Sequence, residues 1–191
     1  VTGLMALTGE PRGEPTKVGV AVSDMVAGLY AAQGILTALF ARNATGEGRH
    51  VDISMQDSVA SLLTYQAGIY FATHKNPARL GNAHPSICPY ETVHTKDGIY
   101  ALAVGNDAQF ARFVDVLELP WLKEDPRFET NRSRVEHREA LMDLLTPKLK
   151  LRTRAQWDAA FREAGIPGGP VLEMSQALDH PQLEARGISS T

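Results

Sequence analysis

Between Asp24 and Ala41 (DMVAGLYAAQGILTALFA) almost every position is apolar or small. That pattern predicts a helix apolar on every face, and such a helix is buried among other layers rather than laid on a surface. Ser23 or Asp24 suits its N-cap, and the polar run Asn43–Gly48 supplies the stop. His50-Val51-Asp52-Ile53-Ser54 alternates like a short strand, and Gln56–Phe71 predicts a second apolar helix. Helix, strand, helix is the order of an α/β domain. Two helices and one strand do not complete such a domain. The apolar phrase at Val1 and the ending Gly187–Thr191, without a terminal helix, also read as cuts. The pattern therefore predicts a piece of a longer protein.

After this stretch the pattern changes. His74–Pro89 is polar and proline-bearing, which predicts a linker or an active-site loop. Tyr90–Val93 and Ile99–Val104 flank Thr95-Lys96-Asp97-Gly98, a hairpin signal. Asp107–Leu117 is an amphipathic helix with Phe110, Phe113, Val114 and Leu117 on one face and Asp107 at its N-cap. A longer helix is predicted over Ser133–Lys150. Thr153 and Gln156 have capping-box spacing and open another helix, which Gly165 closes before Pro167. Gly168–Leu172 is extended, and Ser175–Leu178 and Pro181–Arg186 are short helical pieces. The expected fold class is α/β. The expected organisation is a partial α/β domain over residues 1–75, a linker and active-site loop over 76–89, a small α+β domain over 90–172 and short helical pieces over 173–191.

Composition narrows the function classes. The chain has 191 residues, 43% hydrophobic and 21% charged, which is ordinary for a folded globular protein. Nineteen Lys+Arg against 22 Asp+Glu leave a charge of −3, so there is no basic footprint for nucleic acid. No apolar run approaches the roughly 20 residues of a membrane span, so no membrane partner is expected. The lone Cys88 excludes an intrachain disulfide, suits a reducing cytoplasmic setting and reads as a small loop residue. The six histidines never form HxxxH or HExxH, and no P-loop, GxGxxG or G-x-S-x-G is present. Asp24 is the most chemical of the remaining residues. A carboxylate where a loop enters an apolar helix is either a plain N-cap or a functional acid at the positive helix end.

The phrases GLMALTGEP (Gly3–Pro11), PTKVGVAVSDMVAGLYAAQGILTAL (Pro15–Leu39) and TGEGRHVDISMQDSVASLL (Thr45–Leu63) resemble the middle of a class III coenzyme A transferase. The resemblance continues through RLGNAHPSICPYETVHTKDG (Arg79–Gly98), AVGNDAQFARF (Ala103–Phe113), TNRSRVEHREAL (Thr130–Leu141) and AGIPGGPV (Ala164–Val171). It implies that Asp24 is the nucleophile that takes up the acyl group of an acyl-CoA and then CoA itself. Coenzyme A thioesters and carboxylic acids would be substrates, with no metal and no redox cofactor. Met55 matches a position that contacts the CoA moiety, and is equally well read as a core methionine. Gly81, Asn82 and His84 match a flexible loop over the acyl site. That loop lacks a glycine run, which argues against oxalate and formate and is closer to transferases of succinyl and similar dicarboxylic groups. His84 would orient a substrate carboxylate, with a solvated loop histidine as the alternative. The resemblance further implies a cytoplasmic, interlocked homodimer, in which residues 1–75 are part of a Rossmann-like large domain and 173–191 a return linker.

Two other readings stand beside it. A 2-methylacyl-CoA racemase would exchange an α-proton using the Asp24 position, but Met25-Val26-Ala27-Gly28 is not the glycine-rich run expected there. The chain by itself is otherwise an incomplete, non-catalytic dimerisation or interaction module.

Overall fold

The longest apolar stretch forms the longest helix. In the computed structural model, residues 2–188 are described, and they divide between Gly81 and Asn82 into two units. The readings at Val1 and at Ser189–Thr191 lie outside the described residues. In the first unit α1 (Leu4–Leu7) precedes α2 (Val22–Thr45), which ends at Gly46, a left-handed residue with φ 75°. Glycine takes that conformation without the Cβ penalty other residues meet. Next come α3 (Met55–Ala60), a single 3₁₀ turn over Ser61–Leu63, and α4 (Thr64–Thr73). The continuous helix expected over Gln56–Phe71 is interrupted at Thr64, whose φ is 39°.

Three expectations for this unit are corrected. His50–Ser54 forms no strand, because no neighbouring strand among the described residues offers it a ladder. It packs as a loop on α2 instead. At Gly34 the space a Cβ would take is occupied by Val51, 2.8 Å away. Secondly, α2 has no buried residue, and Leu29, Leu36 and Phe40 are 70%, 67% and 80% exposed. Its pattern is suited to burial on all faces, while within this unit α2 packs chiefly on α3. Thirdly, α2 is long and apolar enough to cross a membrane by length and composition, although polar residues break its apolar runs. A core helix of a water-soluble protein has the same length and composition, so this one helix is weak evidence for a span.

The second unit closes a core of its own. Strands β1 (Tyr90–His94) and β2 (Ile99–Ala103) form the expected hairpin, with Val93 opposite Tyr100. Strand β3 (Gly168–Pro170) adds antiparallel to β2, giving the order β1-β2-β3. Gly168 is required there, since a Cβ would lie 2.6 Å from Cε1 of Tyr100. Helix α5 (Asp107–Val116) buries Phe110, Phe113 and Val114, as its spacing predicts. Its N-cap, however, is Asn106, whose side chain accepts from the Gln109 N–H, and Asp107 is the first helical residue. The predicted helix from Ser133 is two helices, α6 (Asn131–Glu136) and α7 (Arg138–Leu149), separated at His137. Leu141, Leu145 and Leu149 of α7 recur every four residues and are fully buried.

Helix α8 (Arg154–Glu163) begins with the predicted Thr153–Gln156 capping box. Trp157 stacks on Phe161 at 5.1 Å between ring centroids and donates its indole N–H to the Leu149 carbonyl at 2.7 Å. Phe161 also meets Tyr100 and Phe113, so hairpin, α5 and α8 share one aromatic centre. Gly165, with φ 66°, turns the chain into β3, and α9 (Met174–Leu178) and α10 (Pro181–Ala185) follow.

Beside this apolar core lies a buried guanidinium. Arg134 is 0% exposed and sits 4.2 Å above the Phe110 ring. It donates to the carbonyls of Cys88, Phe128 and Glu129 and to the Asp107 carboxylate. Replacing it leaves buried carbonyls unpaired, each of which costs about 1–3 kcal/mol. Arg134→Met is expected to lower unfolding stability by roughly 2–4 kcal/mol, read from urea denaturation curves.

Candidate functional site

Asp24 occupies the third position of α2, since the Ala21 carbonyl accepts the first helical bond from Met25 N–H at 3.1 Å. The N-cap is therefore Ala21, not Ser23 or Asp24, and Ala21 has no side-chain oxygen to cap the turn. The first-turn N–H groups have no intrahelical acceptor, and a negative charge among them is favoured. Asp24 is exposed, and among the described residues its carboxylate makes no hydrogen bond or ion pair. It is thus not consumed by capping, and its oxygens are available to a reactant.

Met55 opens α3, the helix that packs on α2, and is 49% exposed. It is therefore not a core methionine within this unit. Ser54 caps α3 by accepting from Asp57 N–H at 3.2 Å. Tyr30 of α2 donates to Ser61 Oγ at 2.9 Å and ties the two segments together. A cleft of 590 Å³ runs between α2 and residues 49–53, and another of 580 Å³ is lined by Leu7, Leu63, Tyr70, Phe71 and Arg79. Neither includes Asp24 or Met55 in its lining.

Gly81 ends the first unit. Its N–H donates to Gly9 at 3.0 Å, its φ is 57°, and Glu10 lies 3.2 Å from where a Cβ would stand. Asn82 and His84 belong to the second unit. Asn82 Nδ2 donates to Thr92 Oγ1 at 3.0 Å. The His84 ring stacks on Tyr90 at 5.1 Å, and its Nδ1 accepts from the Ser86 N–H. His84 is half-buried, not a freely solvated loop residue.

The loop that carries them is held in place. The carbonyls of His84 and Ile87 both accept from Arg138, at 2.6 and 2.9 Å. Ser86 O accepts from Asn131 Nδ2, Cys88 N–H donates to Asn131 Oδ1, and Cys88 O accepts from Arg134. Asn131, Arg134 and Arg138 lie three and four residues apart, on one face of successive helical turns. Sequence reasoning missed them as site-supporting residues. The available signal was that spacing within TNRSRVEHREAL, which reads equally well as a solvated polar stripe. Among the described residues no group of His, Cys, Asp and Glu is arranged to hold a metal ion.

Cys88 sits in the core, 0% exposed, rather than at a loop surface. Burial pushes its thiol up to about 11; Arg138 and Arg134 oppose the shift and Glu91 adds to it. A neutral buried thiol is a poor nucleophile. Native protein at pH 8 is expected to resist iodoacetamide and to react once unfolded in urea, as mass spectrometry of the labelled peptide would report. Because the folded thiol titrates above its ordinary value of 9.0, the stability it contributes is complete below that pH and is lost as pH rises toward 11. Urea midpoints compared between native protein and Cys88→Ala across that range check the sign.

With this geometry in view, comparison with known proteins defines the class. Residues 1–191 match CoA-transferase family III throughout, and the chain belongs to that family. It is 40% identical over 189 residues to the succinate–glutarate CoA-transferase of Agrobacterium fabrum, covering 98% of this chain and 47% of that protein. It is 38% identical to the acetyl-CoA:oxalate CoA-transferase of Acetobacter aceti, with 98% and 49% covered. The chain spans about half the length of the curated relatives it matches. A solved CaiB/BaiF family protein from Brucella suis superposes with a TM-score of 0.83 at 42% identity, over 97% of this chain and 49% of that one. That likeness bears out the α/β fold class expected from the sequence.

Proposed function

We propose that the intact protein is a CoA transferase that moves coenzyme A from an acyl-CoA to a dicarboxylic acid, with Asp24 as the nucleophile. The observation that carries this reading is the free carboxylate of Asp24 in the first turn of α2, within a chain that matches the transferase family from end to end. A nucleophilic carboxylate has to be accessible and unengaged, and a helix N-terminus offers N–H groups to a developing oxyanion.

The cycle runs in four acyl transfers. The Asp24 carboxylate attacks the thioester carbonyl, expelling CoA thiolate and forming a mixed anhydride. The thiolate then attacks the aspartyl carbonyl, which releases the donor carboxylate and leaves an aspartyl-CoA thioester. The acceptor carboxylate attacks that thioester, giving a new anhydride and thiolate. Attack of the thiolate on the acceptor carbonyl yields the product acyl-CoA and restores Asp24. No electrons leave the system, so no redox cofactor is called for. Met55 contacts CoA, and Gly81, Asn82 and His84 belong to the acid-binding loop.

Relatives named for succinate, glutarate and oxalate support a dicarboxylic acceptor. A relative named for oxalate at 38% identity stands beside one named for glutarate at 40%, so identity does not separate these acids. The same reading makes the intact protein a cytoplasmic homodimer. Asp24→Asn is expected to lower exchange between succinyl-CoA and glutarate at least about a thousandfold. Hydroxylamine added to the intact protein with succinyl-CoA should leave a hydroxamate at Asp24. A folded protein that shows none, or that exchanges the substrate α-proton with D₂O without moving CoA, would overturn the transferase reading.

A further inference from the structure

A loop without regular secondary structure has to find partners for its backbone carbonyls outside itself. For His84, Ser86, Ile87 and Cys88 those partners are side chains, while Pro89 O accepts from the Val104 N–H. Arg138 supplies two of them: one terminal nitrogen donates to both His84 O and Ile87 O, and the other donates to Glu91 Oε1 at 2.7 Å. Arg138 and Glu91 side chains are 21% and 19% exposed, so the ion pair is largely shielded from water. The His84 ring is meanwhile stacked on Tyr90, and Asn82 is bonded to Thr92 of β1. Loop and hairpin are thus one piece, locked by a fork whose planar geometry fixes direction as well as distance.

We propose that Arg138 is a positioning residue for acceptor binding: its guanidinium fork, anchored by Glu91, fixes the backbone at His84 and Ile87 so that the loop presents Asn82 and His84 to the acceptor acid as a preset platform. This inference rests on the CoA-transfer reading given above. Arg134 and Asn131 hold the same loop, but Arg134 also holds the Phe128 carbonyl in the core and the Asp107 carboxylate at the surface. Arg138 differs in that its bonds run to the loop and to the adjoining strand. A platform set before the ligand arrives saves the ordering cost that a mobile lid incurs at each binding event. Lysine cannot replace it, because one ammonium does not reach three acceptors spread around a planar fork.

The test uses the intact protein with succinyl-CoA as donor and glutarate as acceptor. Arg138→Lys and Arg138→Ala are expected to raise the glutarate KM about tenfold or more while the succinyl-CoA KM stays within about twofold. Guanidinium ion at millimolar concentration should restore part of the loss in Arg138→Ala and none in Arg138→Lys. A merely structural role would lower the active fraction, and so kcat, with both KM values unchanged; that result overturns the proposal. Should both variants fail to fold, Glu91→Gln keeps every carbonyl bond and removes only the counter-charge. It is expected to raise the glutarate KM to a smaller extent, and an unchanged value overturns the proposal. If wild-type protein moves no CoA at all, the transferase reading falls. Hydrogen exchange of the 82–89 segment then decides the positioning itself: faster exchange in Glu91→Gln supports it, and equal exchange overturns it.

Discussion

The capture of one loop's carbonyls by three side chains on one helical face organises the second unit. Asn131, Arg134 and Arg138 take the backbone of His84, Ser86, Ile87 and Cys88, and Arg134 extends the same network to Phe128, Glu129 and Asp107. Buried carbonyls without donors are costly, so the loop folds where these donors are and nowhere else. The apolar centre formed by Trp157, Phe161, Phe113 and Tyr100 brings α5, α8 and the hairpin together. The arginine network adds the segment that a hydrophobic core alone would leave loose. Its cation is neither exposed nor alone, since Phe110 lies under it and Asp107 faces it.

The two units use their apolar residues differently. In the second, Leu141, Leu145, Leu149, Phe113 and Phe161 reach zero exposure within one chain segment. In the first, α2 carries as strong an apolar pattern yet buries nothing, with Phe40 at 80% exposure. Hydrophobic pattern is a demand for neighbours, and it is met only where other elements supply the surface. The same helix that leaves Leu29 and Leu36 uncovered carries the Asp24 carboxylate without a partner among the described residues, which is the state that nucleophilic chemistry needs.

Much of this was legible from residues whose effect is local. The Thr153–Gln156 capping box, the Asp97-Gly98 turn, the Phe110–Leu117 stripe and the glycine stop at Gly165 each act within a few residues, and each lies where its pattern puts it. Asp24 lies in the first turn of α2, but the helix starts two residues earlier than Ser23 or Asp24 as a cap would place it. The strand expected over His50–Ser54 failed because alternation specifies faces and not a partner. The role of Asn131, Arg134 and Arg138 was not legible, since polar residues at helical spacing look alike whether they face water or a loop.

The sequence by itself determined the family, the hairpin, the apolar stripe of α5 and the capping box of α8. These depend on spacing along the chain, and spacing is what a sequence records. Only the tertiary structure decided that Cys88 is buried, that Asp107 pairs with Arg134 instead of capping α5, and that the Asn82–Pro89 loop is clamped rather than loose. Each of those depends on a contact between residues tens of positions apart. Desolvation, ion pairing and carbonyl capture exist only once the fold has brought such residues within a few ångströms.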